Sequence, residues 1–184
     1  MRKAILNDIL DIMDIIRMTV IEMNSYDNYQ WDESYPQEKD FIADINAGDL
    51  YVSEKDGKLV GFVCVNKIEP VEYCGLDWSS TKKAMVIHRM SVHPEYRRNG
   101  LGLELMKFTE VLAQSKNINY LKTDTNSLNK RMKALFLKCN YNFIGEINFL
   151  KKETPFYCYD KIVGRQSFTP LSSIIPNVTS VISS

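Results

Sequence analysis

The run AMVIHRMSVHPEYRRNGLGLELMKFTEVLAQSK at residues 84–116 constrains the fold more than any other stretch of the chain. It opens as an apolar, strand-like segment at 84–92 and turns at His93-Pro94. It then passes through Arg97-Arg98-Asn99-Gly100-Leu101-Gly102 and continues as an amphipathic helix. Leu101, Leu105, Phe108 and Leu112 recur at i, i+4, i+7 and i+11, which is one helical face. A strand feeding a glycine turn at a helix N-terminus aims several unpaired N–H groups at one point. The helix dipole adds to their pull on an anion, so the spot suits a phosphate or pyrophosphate. Glycine at 100 and 102 lets the backbone approach such a ligand with no Cβ between them.

Three phosphate-binding patterns compete with the plainer reading of a tight turn. A P-loop needs Lys followed by Ser or Thr after its last glycine, and neither follows Gly102. A dinucleotide fingerprint needs a third glycine where Leu105 stands. The third pattern, [RQ]-x-x-G-x-[GA], is met by Arg97, Gly100 and Gly102. With its preceding strand, His-Pro turn and following helix, this stretch resembles the acyl-CoA pyrophosphate site of the GCN5-related N-acetyltransferase (GNAT) superfamily. The resemblance implies an α/β (α+β) GNAT fold, a mixed central sheet of about six to seven strands flanked by about four helices.

The rest of the chain is compatible with that expectation. At 184 residues it has the length for one domain with a real core. Lys plus Arg and Asp plus Glu are 23 each, so no net charge and no basic block point to nucleic acid or an anionic membrane. Apolar runs fall short of a membrane span, and Asn7, Asp8, Asp11 and Asp14 interrupt the first segment where a signal peptide would be apolar. A cytoplasmic protein is expected. Cys64, Cys74, Cys139 and Cys158 form no C-x-x-C pair; Cys64 and Cys139 read as reduced core thiols, and zinc spacing is absent, so no metal is expected.

In chain order, a short strand at 1–5 precedes a helix from an Asn7 cap to about Met23, with Ile9, Ile12, Met13, Ile16 and Val20 on one face. A polar, aromatic loop follows at 24–36, then a helix at 36–47 with Pro36 in its first turn and Gly48 past its end. Strands at 49–54 and 59–66 are joined by an Asp56-Gly57 hairpin turn. A longer connection at 69–83 carries Tyr73, Cys74 and Trp78. Beyond the central helix come a strand at 120–125, a helix at 130–139 and closing strands at 143–148 and 156–163. Residues 1–164 form the expected domain. Residues 165–184 hold no charge after Arg165 and read as a tail, a candidate for contact between two copies in a homodimer.

By the resemblance, the backbone from Arg97 to Gly102 (Arg97, Arg98, Asn99, Gly100, Leu101, Gly102) holds the pyrophosphate of acetyl-CoA, with the two arginines adding charge. Met90, Ser91 and Val92 match the strand beside which the pantetheine arm lies, acting through backbone groups, one of which would also polarise the thioester carbonyl. Asn129, before the helix at 130–139, matches the asparagine that bonds the pantetheine arm, or is an ordinary helix cap. Phe136 occupies the place where many relatives carry a tyrosine that protonates the leaving thiolate, and it cannot do so. His88, with an ordinary pKa near neutrality, is either the proton acceptor or a histidine bonded within the sheet. Simple alternation puts Val86, His88, Met90 and Val92 on one strand face. The segment Gln30-Trp31-Asp32-Glu33-Ser34-Tyr35-Pro36 resembles a QW…YP segment of some bacterial GNAT proteins. Trp31 and Tyr35, with Asp32 and Glu33 beside them, would bind a cationic amine, or else simply cover the core. The expected function is acetyl-CoA-dependent acetylation of a primary amine on a small molecule, amino acid or peptide. A non-catalytic acyl-CoA-binding module and a protein (N-terminal or lysine) acetyltransferase are the alternatives.

Overall fold

The computed structural model describes residues 1–164, so the expected tail at 165–184 lies outside the described residues. Among the described residues seven strands form one sheet: β1 (Arg2–Lys3), β2 (Leu50–Lys55), β3 (Lys58–Asn66), β4 (Met85–Val92), β5 (Tyr120–Asn126), β6 (Asn142–Ile147) and β7 (Phe156–Ile162). Four helices accompany them: α1 (Ile9–Asn24), α2 (Glu38–Ala47), α3 (Leu101–Ser115) and α4 (Lys130–Lys138). The sheet order is β1-β2-β3-β4-β5-β7-β6, antiparallel throughout except for the parallel pair β4–β5. That parallel pair needs a crossover, and α3 supplies it. The expected mixed α/β sheet with four helices is therefore what forms.

Two cores lie on opposite faces of the sheet. On one, α3 and α4 cover Val63, Val65, Met85, Ile87 and Leu121, with Leu105 and Phe136 fully inserted. On the other, α1 and α2 cover Leu50, Val52, Phe62 and Cys64 with Ile12, Ile16 and Phe41. A third cluster, Tyr73, Val86, Phe156 and Cys158, is closed by the connection between β3 and β4.

The first two helices start later than expected, α1 by one residue and α2 by two. Asn7 sits in a short 3₁₀ turn (Leu6–Asp8), and Asp8 is drawn to Arg2 and the Ile5 amide instead. Helix α2 starts after Gln37, where Asp40 returns to bond the Gln37 N–H at 2.7 Å, so Pro36 precedes the helix. Gly48 closes α2 in the left-handed region at φ 71°.

Strand β4 departs from simple alternation. Val63 pairs with Met90 and Val65 with Ile87, so His88 and Arg89 together face Cys64, a β-bulge. The extra residue resets which face follows. Ile87 and Met90 consequently share the α3/α4 face, while Arg89 and Ser91 reach α2 and α1 on the other. The expectation that Val86, His88, Met90 and Val92 share a face fails at this bulge.

Candidate functional site

Pairing between β4 and β5 runs from Met85↔Leu121 to Ile87↔Thr123 and stops, with Thr123 Oγ1 donating to the Ile87 carbonyl at 3.0 Å. Each strand continues on its outer side, β4 with β3 to Gly61↔Val92 and β5 with β7 to Asn126↔Phe156. The two strands therefore splay apart in the middle of the sheet. A cleft of about 840 Å³ occupies the splay and passes from the α3/α4 face to the α1 face. Its walls include Met90, Val92, Gly102, Met132 and Phe136 on one side and Thr19, Met23, Tyr26 and Trp31 on the other.

The edge of β4 that lines the splay is backbone without a strand partner among the described residues. His93 donates its N–H to Val60 O at 2.9 Å, so alternation turns Ser91 towards β3 and leaves Met90 and Val92 facing the cleft. Ser91 instead contributes a buried side-chain hydrogen bond with Thr19 at 2.9 Å.

At one end of the cleft, Gly100 caps α3 at φ 83°. The first helical bond there is Glu104 N–H to Gly100 O, so the amides of Leu101, Gly102 and Leu103 have no backbone acceptor among the described residues. A Cβ on Gly102 would stand 3.3 Å from Leu135 Cδ2, so α4 packs closely over this turn. Arg98 takes a left-handed φ of 64° and lines the cleft without an ion pair among the described residues. Asn99 is exposed beside it. Arg97 is committed elsewhere: its guanidinium donates to Val92 O at 3.0 Å and Thr19 Oγ1 at 3.3 Å and pairs with Glu22. It braces the turn against β4 and α1. Arg131 and Lys138 of α4 also line the cleft, neither of them expected there, and Arg131 shares the Glu22 carboxylate with Arg97. Their basic character was visible, but their side of the helix was not.

Asn129 caps α4 through a bond from Met132 N–H at 3.2 Å, and its Nδ2 donates to Gln30 Oε1 at 3.2 Å. That same Gln30 oxygen accepts from Thr125 Oγ1 at 3.0 Å and Asn126 N–H at 3.1 Å. Gln30 thus pins the loop at 25–37 to the open end of β5. Phe136 is 1 % exposed, packs on Tyr141 and Tyr159 and lines the cleft.

The aromatic loop is arranged differently from expectation. Trp31 lines the cleft but is otherwise core, 5 % exposed. Tyr35 is absent from the cleft walls; its hydroxyl accepts from Arg89 Nη1 at 2.7 Å. Arg89 is in turn held by Asp44 of α2 through two guanidinium nitrogens, at 2.9 and 2.6 Å. Asp32 pairs with Lys152 and accepts from Ser34, and these partners outweigh its burial to hold its pKa down at about 2. Neither Tyr35 nor Asp32 is therefore free for an incoming amine. The reason is long-range: their partners come from β4, α2 and the β6–β7 loop.

His88 lines the cleft, and its Nε2 donates to Asn66 Oδ1 at 2.7 Å. That oxygen also accepts the Ile68 N–H at 2.8 Å, which fixes the ring nitrogen as the donor. Burial and the neighbouring Arg89 push the His88 pKa down to about 4. A ring so held fits a neutral histidine bonded within the sheet better than the proton acceptor suggested by its ordinary pKa. Asp124, across the splay on β5, was not among the expected site residues. It lines the cleft, accepts from Tyr73 Oη at 2.6 Å and has its pKa pushed up by burial to about 6.

Comparison with known proteins agrees with this architecture. The model of the acetyltransferase (GNAT) family matches residues 15–141. A Xenopus tropicalis protein named Probable N-acetyltransferase 14 is 33 % identical over 82 residues, covering 43 % of this chain and 40 % of that protein. The matched region is thus well under half of that relative's length. The crystal structure of a GNAT-family acetyltransferase from Streptococcus agalactiae superposes with a TM-score of 0.77 at 24 % identity, covering 89 % of this chain and 95 % of the other. The yncA protein of Salmonella typhimurium, solved with its cofactor acetyl-CoA, superposes with a TM-score of 0.66 at 14 % identity, covering 90 % and 94 %. Among the described residues no helix is long and apolar enough to cross a membrane.

Proposed function

The chain belongs to the acetyltransferase (GNAT) family, and from that membership we propose that it moves the acetyl group of acetyl-CoA to a primary amine of a small molecule, amino acid or peptide. The domain that does this spans residues 1–164. The observation that carries the reading is the continuity of the splay with the glycine turn. Among the described residues, one cleft joins a partnerless strand edge to three amides without a backbone acceptor at a helix N-terminus. A pyrophosphate suits that N-terminus because the amides and dipole converge there and Gly100 leaves the approach open, with no atom of the described residues within 4 Å of where a Cβ would stand.

In this reading the amides of Leu101, Gly102 and Leu103 hold the pyrophosphate, and Arg98 adds charge. The β4 edge at Met90 and Val92 pairs with the pantetheine arm as a strand would, and an amide there polarises the thioester carbonyl. Asn129, held by Gln30, stands where it can bond the same arm. Acetyl-CoA supplies an activated acyl group, whose C–S bond breaks as the new C–N bond forms. Phe136 offers no proton, but a thiol of ordinary pKa near 8.5 leaves as thiolate without one. Trp31 borders the acceptor's half of the cleft, whose walls come from both faces of the sheet.

The test is calorimetric titration with acetyl-CoA, ATP and NAD, followed by amine-dependent thiol release. Micromolar binding of acetyl-CoA alone, with thiol released on adding a primary amine, is expected. No binding by a folded sample overturns the cofactor assignment. Binding without turnover of any amine leaves the acyl-CoA-binding module, which the apolar Phe136 favours.

A further inference from the structure

Beyond the last pair Ile87↔Thr123, β4 leads through Arg97 to α3 and β5 leads through Asn129 to α4. Helix α1 lies on the other face of the sheet from both of these helices. One α1 side chain nevertheless bonds to the continuation of each strand. The Glu22 carboxylate pairs with Arg97 through one oxygen and with Arg131, in the first turn of α4, through the other. All three residues line the cleft. A helix on one face reaches a helix on the other only past the strands, and here it does so where the strands have parted. Glu22 therefore spans the open end of the splay as a clasp.

The two arms of the clasp are held unequally. The Arg97 side chain is 23 % exposed and also donates to Val92 O at 3.0 Å and Thr19 Oγ1 at 3.3 Å. The Arg131 side chain is 56 % exposed. Besides Glu22 its guanidinium meets only the Tyr26 ring, at 5.3 Å, among the described residues. Tyr26 follows Glu22 by four residues, so both receive Arg131 from one face of α1. The clasp therefore parts at Arg131 and leaves Glu22 on Arg97. We propose that the contact of Arg131 with Glu22 and Tyr26 is a gate, closed in the free protein and parted to admit acetyl-CoA.

The gate rests on the proposed function. There the pantetheine arm runs from the glycine turn to the β4 edge at Val92, and so passes Arg97, whose guanidinium holds the Val92 carbonyl. The bridge from Arg97 through Glu22 to Arg131 lies across that route. Only the open form takes up the donor, so affinity and association rate are both reduced by the open fraction. A half-exposed ion pair with an aromatic ring beside it is weak enough to part readily, and a closed-to-open ratio of about five is what such a contact sustains. A bound donor keeps the gate parted. Losing the contact therefore acts on uptake and leaves release alone.

The test is surface plasmon resonance with the full chain immobilised and acetyl-CoA as analyte. Glu22→Gln keeps an oxygen for Arg97, and Arg131→Gln removes the guanidinium. The double variant removes one charge of each sign, so long-range attraction of the anionic donor stays as it was. It should bind acetyl-CoA about fivefold faster than the parent, with an unaltered dissociation rate. Each single variant should be faster too, although steering alone would make Arg131→Gln slower. Raising NaCl from about 0.05 M to about 0.3 M screens the clasp as well as the donor. The parent's rate should therefore fall less steeply than that of the double variant. A clasp that merely held the fold would lower the urea midpoint of the double variant and leave its association rate alone. Equal rates in parent and double variant, or a slower Arg131→Gln, overturn the gate and leave the cofactor reading standing. No acetyl-CoA binding by the folded parent overturns that reading, and the gate with it.

Discussion

The two halves of the cleft are built from different materials. The half at the start of α3 is backbone: three helix amides, a glycine at positive φ and the partnerless edge of β4. The half under the loop at 25–37 is side chains. There Arg89 joins Asp44 and Tyr35, Gln30 joins Thr125, Asn126 and Asn129, and Lys152 joins Asp32. A backbone site can bind one constant group on every scaffold that repeats the turn, because amides do not depend on residue type. A side-chain network fixes a shape particular to its own chain. The difference separates two kinds of damage. Changes in the backbone half should weaken acetyl-CoA and spare the fold, whereas changes in the network should cost stability first.

The largest effect should come from the buried centre of the network. Arg89→Met strands the Asp44 carboxylate among apolar neighbours and removes the donor to Tyr35. A loss of about 3–5 kcal/mol is expected in urea unfolding. Arg89→Met combined with Asp44→Leu should recover most of it, because neither charge is then left buried alone. A loss below about 1 kcal/mol in the single variant, within the range of exposed pairs, would erase the contrast between the halves.

A smaller effect is expected at the seam. Gln30→Leu leaves the Asn126 N–H, the Thr125 hydroxyl and one Asn129 amide hydrogen without their shared acceptor. Stranded buried donors cost about 1–3 kcal/mol together with whatever repacking follows. Because Asn129 is held by this bond, Gln30→Leu should also weaken acetyl-CoA, as no other change in the loop should. Stability loss with unaltered acetyl-CoA affinity would show that Asn129 needs no help from the loop.

The same division explains what could be read from the sequence. Backbone sites leave local marks: Gly100 and Gly102 at fixed spacing, a His-Pro turn and a helical stripe of Leu105, Phe108 and Leu112. All lie within some thirty consecutive residues, and the sheet and helices around them were legible for the same reason. The β4 bulge left no such mark, since Ile87-His88-Arg89-Met90 contains no glycine or proline and reads as plain alternation. Tyr35 and Asp32 were misplaced as acceptor contacts because Arg89 and Lys152 are remote in sequence. Asp124 did carry a signal. It stands with Lys122 on one face of a strand that the topology makes central, and a charge there needs a partner or a task.

The finest test of the comparison uses two glycines with equal geometry and different surroundings. Gly100 and Gly57 have φ of 83° and 74°, and a Cβ on either would meet no atom within 4 Å. Valine at either position therefore strains the backbone alike, by about 1–2 kcal/mol, with its Cβ in open space at both. Gly57 lies in the β2–β3 hairpin turn, away from the cleft walls, whereas Gly100 lies in them. Gly57→Val should lower stability modestly and leave acetyl-CoA affinity untouched. Gly100→Val should lower stability by a similar amount and weaken acetyl-CoA about tenfold or more, since 1.4 kcal/mol of turn strain or a blocked approach is already tenfold. The ratio of the two dissociation constants removes the shared strain on the fold and leaves what the turn does for the ligand. A ratio near one would move the pyrophosphate away from the start of α3, even with the rest of the splay intact.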